Sequence, residues 1–206
     1  MNIIKRIYYF VVKSSKIRIE KGNNIKLNGK KIQKCDIKIQ GKNNKLILGE
    51  GSTLRKAKIR IEGENHEVLI GKNSMINKTS IEIYGNNGNL IIGDRASFGK
   101  VRFVMGEGKN VIIGDEALFS YDIEIRNTDS HYIFTEGEDK VTNIGKDIII
   151  KDHVWIGAGS KILKGVTIDN GAVVGGSSVV VKNIEANTVV AGNPAKKIKE
   201  KIYWVG

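Results

Sequence analysis

Aliphatic residues recur along this chain at a spacing far longer than a helical turn. In the first half, an aliphatic residue followed by glycine returns every 21–22 residues, at Leu48, Ile70, Ile92 and Ile113. Between these points aliphatic and polar residues alternate, as in Ile59–Ile61, and a period of two indicates β-strands. Glycine and asparagine follow these segments, and both residues tolerate the left-handed backbone conformation of tight corners. The pattern predicts a solenoid whose coils repeat one another.

The second half tightens to a strict period of six residues. The aliphatic positions at this interval are Ile144, Ile150, Ile156, Ile162, Ile168, Val174 and Val180. The residues four places after each of them are Ile148, Val154, Ser160, Val166, Ala172, Ser178 and Ile184. A helix period of 3.6 cannot produce this register, whereas a triangular coil of three hexads can. We therefore predict an all-β solenoid, a parallel β-helix of hexapeptide repeats with about eight coils and a length of roughly 40 Å.

Two segments interrupt the repeat. Residues 126–143 form a loop excursion that leaves the coil after Ile125, and the hexads resume at Ile144. An excursion of this length inside a compact solenoid is usually functional. The only proline, Pro194, lies in the C-terminal segment, which is expected to cap the open end of the prism. We predict an N-terminal cap segment over 1–16, the β-helix over 17–190 and a C-terminal cap over 191–206.

The composition excludes several classes of protein. The 206 residues include 24 glycines and 1 proline, which suits a chain with many turns. The single cysteine, Cys35, excludes an internal disulfide framework and a CxxC metal site. No apolar run approaches the roughly 20 residues of a membrane helix, and the N-terminus lacks a signal-peptide cleavage site. We expect a cytoplasmic protein, and contact of Met1–Lys16 with the inner membrane face stays open.

The formal net charge of +12 favours an anionic partner. Nucleic acid, anionic lipid, a phosphorylated cofactor and an acidic polymer all fit that description. The lysines are spread along the chain, so charge alone selects none of them. No aromatic–basic motif or recognition helix accompanies the charge, and we expect no nucleic-acid partner.

The three histidines are candidates for acid–base chemistry, because imidazole titrates near neutral pH. His66 lies in the turn segment Gly63–Glu67 and is expected to be a surface turn residue. His153 lies at an outward position of a strict hexad, where a direct role is the less favoured interpretation. His131 lies in the excursion, two residues after Asp129. It is the strongest candidate for a catalytic base, and a loop histidine packed on a neighbour is the alternative.

Several strings resemble the left-handed β-helix acyltransferases, which are built from hexapeptide repeats. They are Asp152–Gly157 (Asp-His-Val-Trp-Ile-Gly), Ile162–Val166 and the ending Ala191–Lys196. Within that family, Glu124–Asp129 followed by Ser130 and His131 resembles the polysialic acid and capsular-polysaccharide O-acetyltransferases. The close resemblance covers about residues 123–204, whereas the earlier coils match only in style. It implies a left-handed β-helix and an enzyme that uses acetyl-CoA.

The resemblance also implies a reaction and an assembly. Acetyl would be transferred from acetyl-CoA, without a metal, to a sugar hydroxyl of a bacterial surface polysaccharide. The enzyme would be a homotrimer with each active site between two prisms. His131 would be the general base for direct attack on the thioester, and Trp155 would lie beside the thioester, where its indole or backbone N–H holds an oxygen. Asn127 and Asp129 match motif positions near the acceptor.

The cofactor residues are implied in the same way. The pantetheine arm would run along small residues of the C-terminal coils, and the adenosine end would lie near the Gly-Asn-Pro-Ala turn. The residues implied at the cofactor are Trp155, Gly157, Ala158, Gly175, Gly176, Lys182, Asn193, Pro194, Lys196 and Lys197. Small residues let a thin ligand lie against the backbone, and the three lysines could meet phosphates as point charges.

The acceptor is less well determined than the chemistry. Val181 stands where members of this group have a tyrosine near the acceptor. The positive charge favours an acidic glycan such as a sialic acid polymer, and a neutral acceptor stays open. A sugar N-acetyltransferase or a small-molecule O-acetyltransferase of the same fold is the main alternative.

Two rival classes share the predicted architecture but fit these residues less well. A zinc carbonic anhydrase of β-helix type needs three histidine ligands, two of them close in sequence. No two of the three histidines here are close together. A structural or adhesive β-helix would not explain the presence of His131 and Trp155 in their motifs.

Overall fold

A computed structural model describes residues 12–206, and its regular elements are 25 β-strands. Residues 1–11, most of the predicted N-terminal cap and of the segment whose membrane contact stays open, lie outside the described residues. The first strands are β1 (Val12–Lys13), β2 (Lys16–Ile19), β3 (Asn24–Leu27), β4 (Lys31–Gln33), β5 (Asp36–Gln40), β6 (Lys45–Leu48), β7 (Thr53–Arg55), β8 (Lys58–Glu64) and β9 (Glu67–Ile70). Next come β10 (Met75–Asn77), β11 (Ser80–Asn86), β12 (Asn89–Ile92), β13 (Ser97–Phe98), β14 (Val101–Met105), β15 (Val111–Ile113), β16 (Leu118–Phe119) and β17 (Ile123–Arg126). The last are β18 (Ile148–Ile150), β19 (Trp155–Ile156), β20 (Lys161–Leu163), β21 (Thr167–Ile168), β22 (Val173–Val174), β23 (Val179–Val180), β24 (Val189–Ala191) and β25 (Lys196–Lys199).

The strands form three sheets, which are the faces of a triangular prism. Face 1 has the order β1-β4-β7-β10-β13-β16-β19-β22-β24-β25, face 2 the order β2-β5-β8-β11-β14-β17-β20-β23, and face 3 the order β21-β18-β15-β12-β9-β6-β3. The chain visits faces 1, 2 and 3 in turn, and strands of successive coils pair in parallel. The predicted all-β parallel β-helix is therefore confirmed. We name its corners 1–2, 2–3 and 3–1 after the faces that they join.

The core is a continuous column of aliphatic side chains inside the prism. Leu48, Ile70, Ile92 and Ile113 lie directly above one another on face 3 and are buried, as their spacing predicts. The period-six positions from Ile150 to Val180 are buried as well. Because each coil covers the apolar side chains of the next, the buried apolar surface holds the stack together.

The prediction is wrong at Ile144, whose side chain is 56% exposed instead of inward. The backbone N–H of Gly145 donates to Glu107 Oε2 at 2.7 Å, and that of Lys146 donates to the Asn127 carbonyl at 3.1 Å. These bonds hold the chain outside the prism until Ile148, which is buried. The excursion therefore lies between β17 and β18 and spans residues 127–147.

His66 is a second correction, because only 1% of this expected surface residue is exposed. Its Nδ1 accepts a hydrogen bond from the Gly88 N–H at 3.1 Å, and its Nε2 lies 2.8 Å from the Gly85 carbonyl oxygen. One coil earlier, Asn44 Nδ2 donates to the Gly63 carbonyl at 2.9 Å. The longer coils of the first half thus enclose a polar ladder at corner 2–3, and the turn residue that looked external belongs to it.

The chain ends outside face 1. A cis peptide bond joins Asn193 to Pro194, after which β25 runs antiparallel to β24. The Ile202 N–H then donates to the Asn187 carbonyl at 3.0 Å, so the chain turns back along the prism. Across residues 12–206, no helix has the length and apolar character needed to span a membrane.

Candidate active site

The excursion at corner 2–3 presents His131 on a fixed backbone. Phe134 and Val141 form an antiparallel bridge within the excursion. Asn143 Nδ2 donates to the His131 carbonyl at 2.8 Å, and Asn143 Oδ1 accepts from the Ile133 N–H at 2.6 Å. The His131 side chain itself is exposed. The backbone of His131 is thus held at a defined place, and its imidazole is open to a ligand, as a general base must be.

Asp129 is tied to Lys164 and not to His131. Lys164 Nζ donates to Asp129 Oδ2 and, at 2.6 Å, to the Asn143 carbonyl. Asn143 Nδ2 also donates to Asp129 Oδ2 at 2.9 Å. The hydrogen bond from Lys164, with that from Asn143, holds the pKa of Asp129 below its usual range. Asp129 is therefore an ionised anchor between the excursion and the coil beneath it.

The structure corrects the predicted contact of Asn127 with an acceptor. Asn127 is 0% exposed. Its Nδ2 donates to the Lys109 carbonyl at 2.9 Å, and its Oδ1 accepts from the Gly106 N–H at 3.0 Å. A short polar side chain of this kind satisfies backbone groups where a strand ends. Asn127 therefore fixes the point at which the excursion leaves the prism.

Trp155 lies on face 1, in β19, and its side chain points outward with 40% exposed. Leu118 and Val173 are its neighbours in register on the coils above and below. The ring of Trp204, from the C-terminal segment, lies 5.9 Å away at an angle of 48°. An indole placed in this way offers a flat apolar wall and an N–H donor to a ligand on face 1.

Four predicted cofactor residues form a column at corner 1–2. Gly157 and Ala158 follow β19, and Gly175 and Gly176 follow β22 directly beneath. A Cβ at Gly157 would lie 2.6 Å from the Gly176 backbone nitrogen, so glycine is required where these coils stack. Gly157 itself is buried, whereas Ala158 and Gly176 are exposed. The corner is therefore a smooth strip without long side chains, where a thin ligand could contact the backbone.

Asn193, Pro194 and Lys196 lie below this column. The Ala195 N–H donates to the Val179 carbonyl at 2.8 Å, which fixes the turn beneath the corner. Lys196 opens β25 and is exposed. The predicted turn residues thus share one end of the strip with one of the predicted lysines.

The other two predicted phosphate lysines do not join this group within one chain, and their role stays a prediction. Lys197 Nζ pairs with Glu185 at 2.9 Å and Glu200 at 3.2 Å, and the hydrogen bond that Lys197 donates to Glu185 is the main cause of its raised pKa. Its charge is therefore already neutralised by carboxylates. Lys182 follows β23 at corner 2–3, away from the strip on its own chain.

His131 and Trp155 lie on different sides of one chain. His131 belongs to the excursion at corner 2–3, and Trp155 belongs to face 1, which is opposite that corner. One prism therefore does not place the imidazole beside the indole. A site that uses both side chains needs two copies of the chain.

Comparison with known proteins first defines the class. Residues 147–182 match the sequence family of the bacterial transferase hexapeptide (six repeats). The parallel β-helix with this repeat is the left-handed β-helix that the sequence predicts.

Among the similar proteins are several polysialic acid O-acetyltransferases. That of Escherichia coli O1:K1 / APEC is 36% identical over 110 residues, 53% of this chain and 36% of that protein. That of Neisseria meningitidis is 37% identical over 71 residues, 34% of this chain and 33% of that protein. The matches thus span about a third of these curated relatives.

Solved structures match over nearly their whole length. The polysialic acid O-acetyltransferase OatWY has a TM-score of 0.82 and 29% identity, covering 93% of this chain and 91% of that chain. The polySia-specific acetyltransferase NeuO has a TM-score of 0.64 and 25% identity, covering 94% and 89%. The resemblance predicted from the sequence is confirmed.

Proposed function

We propose that this protein is an acetyltransferase that moves acetyl from acetyl-CoA to a sugar hydroxyl of a bacterial surface polysaccharide, in the cytoplasm. The observation that carries the proposal is the exposed imidazole of His131 on a backbone fixed by Asn143. The likeness to polysialic acid O-acetyltransferases supports the reaction class. The net charge of +12 supports an acidic, sialylated acceptor.

The proposed reaction is a direct transfer in which His131 first accepts the proton of the sugar hydroxyl. The sugar oxygen bonds to the thioester carbon, and a donor near Trp155 stabilises the oxyanion that forms. As the carbon–sulfur bond breaks, the protonated His131 returns its proton to the leaving sulfur. The products are an O-acetyl sugar and free CoA thiol. Binding both substrates in one cleft turns a bimolecular step into an oriented one.

The proposed cofactor position is the strip at corner 1–2. The pantetheine arm would lie over Ala158, Gly175 and Gly176, with the adenosine phosphates towards Asn193–Pro194 and Lys196. Lys196 would meet a phosphate as a point charge. The strip supports this placement because Ala158 and Gly176 leave its surface open.

The proposed assembly is a trimer with the three copies of face 3 towards its axis. Face 3 carries an outward aliphatic column of Ile47, Leu69, Ile91, Ile112 and Ile149, in register from coil to coil. Ile112 and Ile149 are exposed in the single chain, and a second copy would cover them. In this arrangement corner 2–3 of one copy meets corner 3–1 of the next. His131 of one copy would then lie beside face 1 and Trp155 of its neighbour.

Release of free thiol from acetyl-CoA, measured against a panel of acidic, neutral and amino sugars, tests this proposal. We expect release to need a sialylated or otherwise acidic acceptor, and His131→Ala to lower kcat by about 10²–10⁴-fold, the usual worth of a general base. Tyr132→Ala, at an exposed neighbouring position, is the matched control and should stay active. The thiol of Cys35 adds little background signal to this thiol assay, because burial raises its pKa.

Three outcomes would contradict the proposed function. Near-normal turnover of His131→Ala would remove this residue from the chemistry. Release with amino sugars alone, or with small neutral acceptors alone, would move the protein to the alternative acetyltransferases of the same fold. No release and no binding of acetyl-CoA would leave the β-helix without the proposed activity.

A further inference from the structure

The last residues of the chain lie over an apolar column on face 1. Leu118, Trp155, Val173 and Val189 occupy successive outward positions there. Val173 is nevertheless only 8% exposed. The C-terminal segment is anchored at the last coil by Ile202, and a Cβ at Gly206 would lie 3.4 Å from Leu118 Cδ2. Residues 202–206, which we call the C-terminal strap, therefore run across several coils and cover this column.

Trp204 holds the strap in place through its ring. The indole stacks on His153 with ring centroids 4.0 Å apart and planes 7° apart. His153 Nε2 lies 3.1 Å from the Trp204 carbonyl oxygen, and Glu116 Oε2 lies 3.5 Å from His153 Nδ1. His153 at corner 3–1 thus contacts both the ring and the backbone of Trp204. This contact gives His153 a structural role that its outward position in the hexad did not suggest.

The Trp204 ring also lies close to that of Trp155. The two indole rings lie 5.9 Å apart and are tilted by 48°, which is within the range of favourable aromatic pairs. Trp204 Nε1 is buried and has no hydrogen-bond partner among the described residues. A buried donor without a partner is unfavourable. The stacking contacts must therefore keep the Trp204 ring in place. We look for the role of Trp204 in the residues against which it packs.

We propose that Trp204 is a positioning residue for Trp155. By packing against both His153 and Trp155, it restricts the rotamers of the Trp155 indole and excludes water from the apolar column. This inference rests on the proposed function, because Trp155 matters to turnover only if the thioester binds beside it. It adds Trp204, and no other strap residue, to the acyl site.

The kinetic test compares three variants. We expect Trp204→Ala to lower kcat/KM for acetyl-CoA by about tenfold to a hundredfold, since small misplacements at a reacting centre have effects of this size. Trp204→Phe keeps a ring against the two partners and should retain most of the activity, while KM for the acceptor stays unchanged in both. Tyr203→Ala is the matched control, because Tyr203 is the adjacent strap residue and is 89% exposed.

A spectroscopic test does not depend on activity. The chain has two tryptophans, so Trp204→Ala and Trp204→Phe each leave Trp155 as the only one. We expect acrylamide to quench Trp155 fluorescence more strongly in the Ala variant than in the Phe variant. Circular dichroism spectra equal to that of the wild type establish that both variants are folded.

The outcomes separate this inference from the proposed function. Equal quenching in the two variants would overturn the positioning role whether or not the wild type is active. Unchanged turnover of Trp204→Ala in an active protein would also overturn it, and faster turnover would show that the strap obstructs the site instead. A wild type with no turnover would refute the proposed function, and the quenching comparison would still decide whether Trp204 holds Trp155.

Discussion

At the scale of single residues, the placement of His131 depends on one ion pair between the excursion and the coil beneath. Asp129 accepts hydrogen bonds from Lys164 and Asn143, and Asn143 in turn binds the carbonyl of His131. Loss of the carboxylate charge would weaken the hydrogen bonds that Asp129 accepts from Lys164 and Asn143. The order of the excursion around His131 thus depends on these few hydrogen bonds.

The pKa of Asp129 gives this network a pH dependence. Its pKa is lowered in the folded protein, so its stabilising contribution is present above the ordinary value and is lost as pH falls through the lowered pKa. We expect amide exchange protection of residues 127–147 to fall below about pH 4, near the ordinary range of aspartate. Lys164→Met should give the same loss of protection at pH 7.

Lys161→Met is the control for that experiment. Lys161 is exposed on face 2, two residues before Leu163, and does not contact Asp129 through any hydrogen bond among the described residues. Protection of 127–147 that is equal in the wild type and in Lys164→Met at pH 7 would mean that the ion pair does not order the excursion.

At the scale of elements, the wide corner 2–3 of the early coils depends on polar side chains that point inwards. His66 satisfies backbone groups of the next coil at Gly85 and Gly88, and Asn44 does so at Gly63. These coils are therefore joined to the next by a buried side chain as well as by their strands. Such a link is stabilising mainly because its removal leaves buried backbone groups unpaired.

Replacement of His66 tests that link. We expect His66→Ala to lower the free energy of unfolding by about 1–3 kcal/mol, the cost of leaving buried polar groups unsatisfied. His66→Asn should cost less, because asparagine fills the equivalent position at Asn44. Urea unfolding measures the difference, with Glu64→Ala at an exposed position of the same corner as control. A loss in His66→Ala no larger than in this control would contradict the account.

The sequence period predicts which side chains of a regular coil point inwards. It does not predict the positions of side chains next to an excursion. Ile92 and Ile156 are buried, as their spacing predicts. Ile144 has the same spacing, yet hydrogen bonds of its neighbour Gly145 to Glu107 keep it outside. His66 has the polar neighbours of a surface turn, and only the stacking of coils shows that it lies inside.

The candidate site was predictable to a similar extent. His131 and Trp155 were identified from their strings, and the structure places both with exposed side chains. The contact between Lys164 and Asp129 joins residues 35 positions apart, and that between Trp204 and His153 joins residues 51 positions apart. No period carries such information. Asn127 could not be separated from ligand-binding residues because its burial depends on the backbone of another coil.

At the scale of the whole molecule, the proposed site requires more than one copy of the chain. His131 at corner 2–3 and Trp155 on face 1 cannot meet within one prism. The outward aliphatic column on face 3 offers the surface that would bring two copies together. The proposed catalytic site is therefore a property of the assembly.

Mixed trimers of His131→Ala and Trp155→Ala test this claim most directly. The two variants, each nearly inactive alone, are co-expressed in equal amounts, purified through two different tags, and assayed for thiol release with the acidic acceptor. We expect trimers by light scattering and recovery of activity, because each doubly tagged trimer contains one intact site of its three, about a third of the sites. Mixed trimers no more active than either parent, or a protein that stays monomeric while active, would contradict a site shared between copies.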